Sequence, residues 1–261
     1  LYPRESTAAL VTTYLAEEGV KVFFTIYSTF LQRAYDQLVH DMARLRAPVV
    51  LGIDRAGLVG GDGETHQGIY DIPMLAHIPN VTIAHPESPI ALKATIDYAL
   101  ERHEGGPIAI RYPRQSIPDT VLEGPPVQVK DTAWQWVRKG SRGTIIAFGD
   151  HVEALCDLID AETLDVSLLN ARFIKPLDKE ALASLDPKRP LLIHEESILT
   201  GGLGSMVITH LGEQGRMPLK VRRLGFDEAY IPQGDRHALL RRYGLDPRNV
   251  IRTMKALIDE T

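Results

Sequence analysis

A glycine-rich, charged loop over residues 54–68 is the strongest candidate for a ligand site in this sequence. It follows the apolar run 48–53 and contains four internal glycines together with Arg55, Asp62, Glu64 and His66. Glycine lets the backbone approach a ligand closely, and charged side chains at the carboxyl end of a strand are typical of small-molecule sites in open α/β sheets. The alternative is a glycine-rich connection whose charges meet only solvent.

An aromatic residue beside a cation marks a second candidate, in the segment 26–37. Tyr27 ends a predicted strand, and Phe30 and Arg33 follow, three residues apart, in a predicted helix over 29–46. Residues at this spacing share a helix face, and a ring beside a guanidinium suits a flat heteroaromatic ligand. The alternative places Phe30 in the core and Arg33 in a surface ion pair.

Two arginines at the end of another predicted strand form a third candidate. The segment Arg111-Tyr112-Pro113-Arg114 closes the strand predicted over 107–111. A pair of guanidiniums at a strand end can clamp a phosphate or a carboxylate bidentately. The alternative is a pair of solvated arginines.

A fourth feature joins two adjacent acids to a glycine turn. A strand predicted over 191–194 ends in Glu195-Glu196, and the turn 201–204 enters a predicted helix. Such a turn resembles an anion-binding helix start, but the adjacent acids would repel an anion. Tight packing or a subunit contact is therefore the preferred interpretation. His85, His103 and His151 stand alone and are interpreted as structural or surface residues.

Short β-rich runs alternate with longer amphipathic stretches along the chain, which predicts parallel sheets covered by helices. Residues 114–129 interrupt this alternation with three prolines and little periodicity, which indicates a linker. We therefore expect the α/β fold class, with two doubly wound domains over residues 1–122 and 123–261. The predicted strands place the first three candidate segments, 54–68, 26–37 and 111–114, at strand ends of the first domain.

Composition excludes several classes of function. The net charge of −5 argues against general nucleic-acid binding, which needs a basic surface. With Cys156 as its one cysteine, the chain has no internal disulfide and no cysteine cluster for zinc. No run approaches the ~20 apolar residues of a membrane span, and the first residues lack the pattern of a signal peptide. A cytoplasmic location and no membrane partner are expected.

Taken together, these motifs resemble the 1-deoxy-D-xylulose 5-phosphate synthase family, thiamin-diphosphate enzymes of the transketolase group. The shared segments, in the family's order and at its approximate spacing, are 27–37, 54–68, 111–114, 170–178 and 195–205. The resemblance covers nearly the whole chain but two of the family's three domains. It implies a transketolase pyrimidine-binding domain over 1–122 and a transketolase C-terminal domain over 123–261.

Two departures from the family pattern matter. The family's amino-terminal domain, whose Gly-Asp-Gly…Asn motif binds Mg²⁺ and the cofactor diphosphate, has no counterpart in these residues. By resemblance the Mg²⁺ ligands are expected in that domain, no metal ligand is assigned to this chain, and the isolated chain is expected to be inactive. The family's catalytic glutamate lies in Gly-Ile-Ala-Glu-Gln-His. An ungapped count puts Glu5 in its place, although the neighbours differ, so Glu5 is either the counterpart or a chance match.

The resemblance implies a thiamin-diphosphate pocket on one side of the site. Glu5 would hydrogen-bond N1′ of the cofactor's pyrimidine, Phe30 would stack on that ring, and Arg33 would lie beside it. The cofactor provides the electron sink, while the protein supplies orientation and electrostatics. His66 would hydrogen-bond the reacting oxygens and move protons, a task suited to a group that titrates near neutral pH.

On the other side, the resemblance implies an acceptor pocket. Arg55 and Arg114 would hold the phosphate of D-glyceraldehyde 3-phosphate, with Tyr27 and Asp62 shaping the pocket. The implied reaction condenses pyruvate with this aldehyde, with loss of CO₂, to 1-deoxy-D-xylulose 5-phosphate, a precursor of isoprenoids, thiamin and pyridoxal. Family members are homodimers, so the segment from Lys130 onward is expected to form interface as well as fold.

Two other functions stay open from the sequence. A β subunit of a 2-oxo-acid dehydrogenase E1 also lacks the diphosphate domain, and it predicts a lipoyl-domain partner and no phosphosugar site. A non-catalytic paralogue that acts as an interaction module would explain the altered surroundings of Glu5. The wording of 54–68 and Arg114 favour the synthase, and a scaffold has no need for the polar set Arg55, Asp62, His66 and Arg114.

Overall fold

Two five-stranded sheets form the framework of the molecule in the computed structural model, which describes residues 4–103, 105–116 and 126–260. The predicted domain boundary at 122/123, and much of the predicted linker over 114–129, lie outside the described residues. Each sheet has four parallel strands and one antiparallel strand at an edge. The predicted class, α/β with two mainly parallel sheets, is confirmed.

The first sheet has the order β1-β2-β4-β3-β8. Its parallel strands are β1 (Val22–Tyr27), β2 (Val49–Asp54), β3 (Thr82–Ala84) and β4 (Ile108–Arg111). Strand β8 (Phe173–Lys175), from the second half of the chain, pairs antiparallel with β3. The helices of this half are α1 (Arg4–Glu17), α2 (Ser28–Leu31), α3 (Tyr35–Gln37), α4 (Asp71–Ala76) and α5 (Pro89–Glu101).

The second sheet has the order β10-β9-β6-β7-β5, with β5 antiparallel to β7. Its strands are β5 (Gln135–Arg138), β6 (Thr144–Ala147), β7 (Ser167–Asn170), β9 (Leu191–Ile198) and β10 (Val221–Phe226). The helices are α6 (His151–Ala161), α7 (Lys179–Ala183), α8 (Leu203–Glu213), α9 (Arg236–Arg242) and α10 (Pro247–Asp259). None of the described helices is long and apolar enough to cross a membrane.

The helix predicted over 29–46 forms in pieces. A 3₁₀ turn (Gln32–Ala34) separates α2 from α3, and a π-helical turn (Leu38–Ala43) follows α3. Ala34 has φ −112° and ψ 18°, which departs from helical angles. The carbonyl of Arg33 accepts a hydrogen bond from Ser6 Oγ of α1 at 2.5 Å. Because this contact depends on the tertiary packing of α1, the apolar pattern of residues 29–46 does not predict it.

The two halves share one apolar core. The largest cluster of buried side chains contains Leu51 and Ile83 of the first sheet together with Ile193 and Val207 of the second half. Burial on both faces is usual for parallel strands, and every residue of β9 is buried. The shared core and the β3–β8 pairing join the two halves of the chain. They thereby hold loops of the first half in place against the second half.

Candidate active site

Parallel pairing brings the predicted site segments to one edge of the first sheet. Tyr27 lies opposite Asp54 in the register of β1 and β2, and Ile53 lies opposite Arg111 in that of β2 and β4. The chain leaves all three strands at their carboxyl ends, where ligands bind in open α/β sheets. The segments that carry Phe30, Arg55 and Arg114 therefore start side by side.

The acceptor loop, residues 54–68, is closed at its base by a pair of backbone hydrogen bonds. Gly57 N donates to Gly68 O at 2.7 Å and Gly68 N donates to Gly57 O at 2.8 Å. A Cβ on Gly68 would lie 2.0 Å from Arg55 O, so the approach of the two chains requires glycine there. The closure holds the ends of the loop together; residues 56–60 are buried, and residues 61–66 are partly or fully exposed.

Arg55 organises a charged cluster within this loop. Its Nε donates to Asp62 at 2.9 Å, its Nη1 donates to Asp54 at 2.7 Å, and its Cζ lies 3.8 Å from the centre of the Tyr27 ring. Burial lowers the pKa of Arg55, but the carboxylates of Asp62 and Asp54 outweigh it and raise that pKa. Arg114 lies 3.4 Å from the other oxygen of Asp62. Two guanidiniums thus face one carboxylate.

An aromatic cluster adjoins the charged one through Tyr27. The rings of Tyr27 and Phe30 are stacked with centroids 5.2 Å apart, and His66 meets Phe30 edge-on at 5.5 Å. Arg33 lies 4.9 Å from the centre of the Phe30 ring and donates to Glu5 at 2.9 Å. The Oγ1 of Thr65 lies 3.0 Å from Nδ1 of His66, which engages one nitrogen of that imidazole.

All eight residues predicted for the site are thereby joined in one branched series of contacts, in which His66 and Tyr27 both touch Phe30. The residues are Glu5, Arg33, Phe30, His66, Tyr27, Arg55, Asp62 and Arg114. They come from four separate segments of the first half. The series offers a carboxylate, a flat aromatic face, an imidazole and two paired cations. Their individual roles stay predictions.

The cofactor side fits an aminopyrimidine in its chemistry. Phe30 packs against the core but stays partly exposed, which leaves aromatic surface for stacking. The backbone N–H of Glu5 and the Arg33 guanidinium lower the pKa of the Glu5 carboxyl, which keeps it ionised and able to accept a hydrogen bond. Arg33 donates that bond here, so a protonated ring nitrogen would replace Arg33 as the donor or share the carboxylate with it.

The structure places the adjacent acids Glu195 and Glu196 inside a strand, and not at its end, where the sequence predicts them. Strand β9 continues to Ile198, so both acids are inside the strand and fully buried. Glu195 accepts from Leu203 N at 2.8 Å and Gly204 N at 2.9 Å, at the start of α8. Burial raises the pKa of Glu195 to about 7, although these N–H groups lower it. Both acids are used within this chain, as tight packing requires.

Glu196 belongs to a buried cluster with Asp150, His151 and Arg236, and the sequence analysis did not predict this cluster. Burial alone would raise its pKa, but Arg236 and the His151 hydrogen bond lower it to about 2. Asp150, His151 and Glu196 lie close enough to share a cation, yet Arg236 sits 3.1 Å from Asp150 and 2.8 Å from Glu196. The guanidinium therefore already balances these carboxylates. The adjacent acids in the sequence were the one signal of this cluster. No sequence pattern indicated that Arg236 of α9 is the partner of Glu196.

His85, another histidine that the sequence interpretation set aside, has different surroundings. His85 is buried and lies 2.7 Å from Nη1 of Arg111. Arg111 also forms a fully buried ion pair with Asp71. The first arginine of the Arg-Tyr-Pro-Arg segment therefore serves the core, and the second reaches the charged cluster.

The fold and the site define a pair of transketolase-type domains. The family model described as the transketolase pyrimidine-binding domain matches residues 4–120, and that of the transketolase C-terminal domain matches residues 132–250. The two models together match most of the chain, which therefore belongs to the transketolase family, and the chain is similar to the C-terminal part of 1-deoxy-D-xylulose-5-phosphate synthases. The synthases of Lysinibacillus sphaericus and Bacillus velezensis are each 40% identical to it, over 98% and 97% of its length.

The chain spans about two-fifths of the length of these curated relatives, since the match covers 41% of each. Among solved structures, one titled "Split gene transketolase, inactive beta4 tetramer" has a TM-score of 0.84 at 24% identity, covering 98% of this chain and 82% of the other. Transketolase from Leishmania mexicana has a TM-score of 0.77 at 18% identity, covering 98% and 37%. Both show the same fold.

Proposed function

We propose that this chain provides the pyrimidine-binding and C-terminal domains, divided at 122/123, of an enzyme that condenses pyruvate with D-glyceraldehyde 3-phosphate. CO₂ is lost and 1-deoxy-D-xylulose 5-phosphate is formed. The observation that carries the proposal is the charged cluster of Arg55, Asp62 and Arg114 directly beside the aromatic cluster. The curated relatives that match the whole chain are named for this product. The proposed location is cytoplasmic.

Thiamin diphosphate, when bound, supplies the electron sink for the decarboxylation and the carbon–carbon bond. Phe30 offers the aromatic face for its pyrimidine, and Glu5 offers the carboxylate for the ring nitrogen. The Arg33 guanidinium borders both. In this proposal the diphosphate and Mg²⁺ are held by the family's diphosphate-binding domain, outside these 261 residues, and the chain by itself is inactive.

The acceptor phosphate binds where Asp62 now lies between Arg55 and Arg114. A phosphate monoester carries more negative charge than a carboxylate and offers three acceptor oxygens, so it competes well for both guanidiniums. Tyr27 supports the Arg55 guanidinium from its ring face. His66, in contact with the Phe30 ring, is placed to hydrogen-bond the reacting oxygens and to move a proton there.

A homodimer is part of the proposal. Helix α1 exposes a set of apolar side chains on one surface: Leu10, Val11, Tyr14 and Leu15, between 38% and 57% exposed. Contiguous apolar surface of this kind usually marks a protein contact. Leu219 and Tyr230 of the second half are also well exposed, which agrees with an interface that includes that domain.

The test supplies the chain with the diphosphate-binding domain of the Bacillus velezensis synthase, together with thiamin diphosphate and Mg²⁺. With pyruvate and D-glyceraldehyde 3-phosphate we expect 1-deoxy-D-xylulose 5-phosphate, detected by NMR, and none from the added domain alone. Acetylation of a lipoyl domain in place of that product would identify an E1 β subunit. Inactivity in both assays, with the complex formed, would identify a non-catalytic paralogue.

A further inference from the structure

Leu58 of the acceptor loop is bonded to the second half of the molecule by both polar groups of its backbone. Its backbone N–H donates to Oε1 of Glu196 at 3.1 Å, and its carbonyl accepts from Nε of Arg236 at 3.1 Å. Glu196 and Arg236 are themselves joined by a hydrogen bond of 2.8 Å between Nη2 and Oε2. A buried ion pair of the second domain therefore holds both polar groups of one loop residue.

Neighbouring backbone atoms extend this attachment. Gly234 N donates to Gly60 O at 3.3 Å, and Nε2 of Gln233 donates to Gly61 O at 3.0 Å. A Cβ on Gly60 would lie 2.6 Å from Gly234 O, and Gly60 has φ +72°. Residues 57–61 thus lie directly on residues 233–236, with no room for a side chain at Gly60.

Leu58 also anchors the loop by its side chain. It is 1% exposed and belongs to an apolar cluster with Ile198, Ile231 and Leu239 of the second half. The attached stretch lies between Arg55 on one side and Asp62 on the other. Its position therefore sets the separation and orientation of the groups proposed to hold the phosphate.

Arg55 needs such external support. It has φ +57°, a left-handed conformation that is costly for a residue with a side chain and persists where the surroundings enforce it. Among the described residues, its ion pairs reach Asp54 and Asp62, which belong to the same loop. The residues that bond Leu58, Gly60 and Gly61 fix that loop to the second half of the protein.

We propose that Glu196 and Arg236 are positioning residues that hold the acceptor loop in the geometry needed for the phosphorylated substrate. They act through the backbone of Leu58 and touch neither substrate. The proposal rests on the function proposed above, because it concerns the loop with the acceptor residues. It gives the acid pair of β9 two tasks: Glu195 binds the start of α8, and Glu196 binds the loop.

The informative variant is Arg236→Lys, which keeps the positive charge beside Glu196 and Asp150 but removes the Nε–H donor. The matched control is Arg172→Lys. Arg172 is another buried arginine of the second half, and its Nε bonds Glu87 of the first half at 2.8 Å, away from the acceptor loop. Both variants lose guanidinium geometry in a contact between the two halves, and only the first loses the bond to Leu58.

The first readout is amide hydrogen exchange of the 261-residue chain, which needs no substrate. In Arg236→Lys we expect about tenfold faster exchange over residues 57–61, the effect of one lost hydrogen bond, with β1 unchanged. Arg172→Lys should leave residues 57–61 unchanged. Equal acceleration in both variants, or acceleration of every segment, would overturn the proposal. If Arg236→Lys does not fold, Gln233→Ala, at an exposed residue, should accelerate the same segment by about threefold, and no change there would overturn it.

The second readout is kinetic, in the complemented enzyme. Arg236→Lys should raise KM for D-glyceraldehyde 3-phosphate by about tenfold, from the same lost bond, with KM for pyruvate unchanged and Arg172→Lys like the wild type. A parallel rise for both substrates would mean a general structural role and would contradict positioning. A wild-type enzyme that makes no product would refute the proposed function only, because the exchange readout decides the attachment of the loop independently.

Discussion

Arg114 gives the sharpest test of the charged cluster, because it reaches that cluster from a separate segment. Its guanidinium lies 3.4 Å from Asp62 and its side chain is 53% exposed. The change Arg114→Ala removes one of the two cations that face the acceptor phosphate, and it removes little packing. We expect KM for D-glyceraldehyde 3-phosphate to rise while KM for pyruvate stays the same.

The magnitude follows from the exposure of the side chain. A hydrogen bond to a charged group contributes about 1.5–3 kcal/mol, and a half-exposed arginine belongs at the lower end of that range. The ion pair with Asp62 that phosphate binding would break contributes about 0–1 kcal/mol. The net loss is about 0.5–2 kcal/mol, so KM should rise about 2- to 30-fold, since 1.4 kcal/mol is a factor of ten.

The assay compares two acceptors in the complemented enzyme. With D-glyceraldehyde, which lacks the phosphate, the wild type and Arg114→Ala should have similar KM values. Arg189→Ala is the matched control, because Arg189 is 51% exposed and 3.6 Å from Asp186, far along the chain from the site. Equal effects of Arg114→Ala on pyruvate and on both aldehydes would refute the clamp.

Four further outcomes are expected. His66→Ala should lower kcat about 100-fold or more with the Kd for thiamin diphosphate nearly unchanged, and collapse of cofactor affinity in calorimetry would instead make His66 structural. The 261-residue chain alone should bind thiamin diphosphate and Mg²⁺ weakly or not at all by calorimetry, and tight binding would contradict the assignment of the diphosphate ligands to another domain. Val11→Asp, at a half-exposed site in the apolar face of α1, should weaken self-association in sedimentation, and an unchanged dimer would place the interface elsewhere. The pKa of Glu195 is about 7 in the folded state against 4.5 ordinarily, which implies a contribution to stability that is full below pH 4.5 and lost as pH rises through 7. In urea unfolding at pH 5 and pH 8, the wild type should lose about 3 kcal/mol relative to Glu195→Gln. Parallel pH dependences of the two proteins would exclude this contribution.

Local pattern predicted much of the fold. The apolar pattern predicts helices over 151–161 and 247–259, and α6 and α10 coincide with these ranges. Helix α10 begins with a proline after a capping aspartate, Asp246, that accepts from Asn249 N. Signals of this kind lie within a few residues of each other, so a sequence contains them in full. The same holds for parallel strands buried on both faces, which read as continuous apolar runs.

The local sequence pattern did not predict the elements that depend on a distant partner. Strand β8 has three residues and exists because it pairs with β3 of the other half. Strand β9 continues past His194 because Ile198 N donates to Ile69 O and the two acids find buried partners. A run of charged residues does not predict a buried strand, since a charge is buried only where it is paired, and the pairing partners lie far away in sequence.

For the site, the sequence by itself determined which chemical groups are present and which strand ends carry them. Residue types and spacing predicted that Phe30, Arg55, His66 and Arg114 follow neighbouring strand ends, because parallel strands deliver their carboxyl ends to one edge. The roles of these residues and of Tyr27 rest on the family resemblance and stay predictions. Only the tertiary structure decided how these groups neutralise one another, with Asp62 between two arginines and Glu5 on Arg33. It alone revealed that Glu196 and Arg236, 138 and 178 residues beyond Leu58 in the sequence, bond the backbone of Leu58. The physical reason is that hydrogen bonds and ion pairs depend on distance in space, which local sequence patterns do not encode.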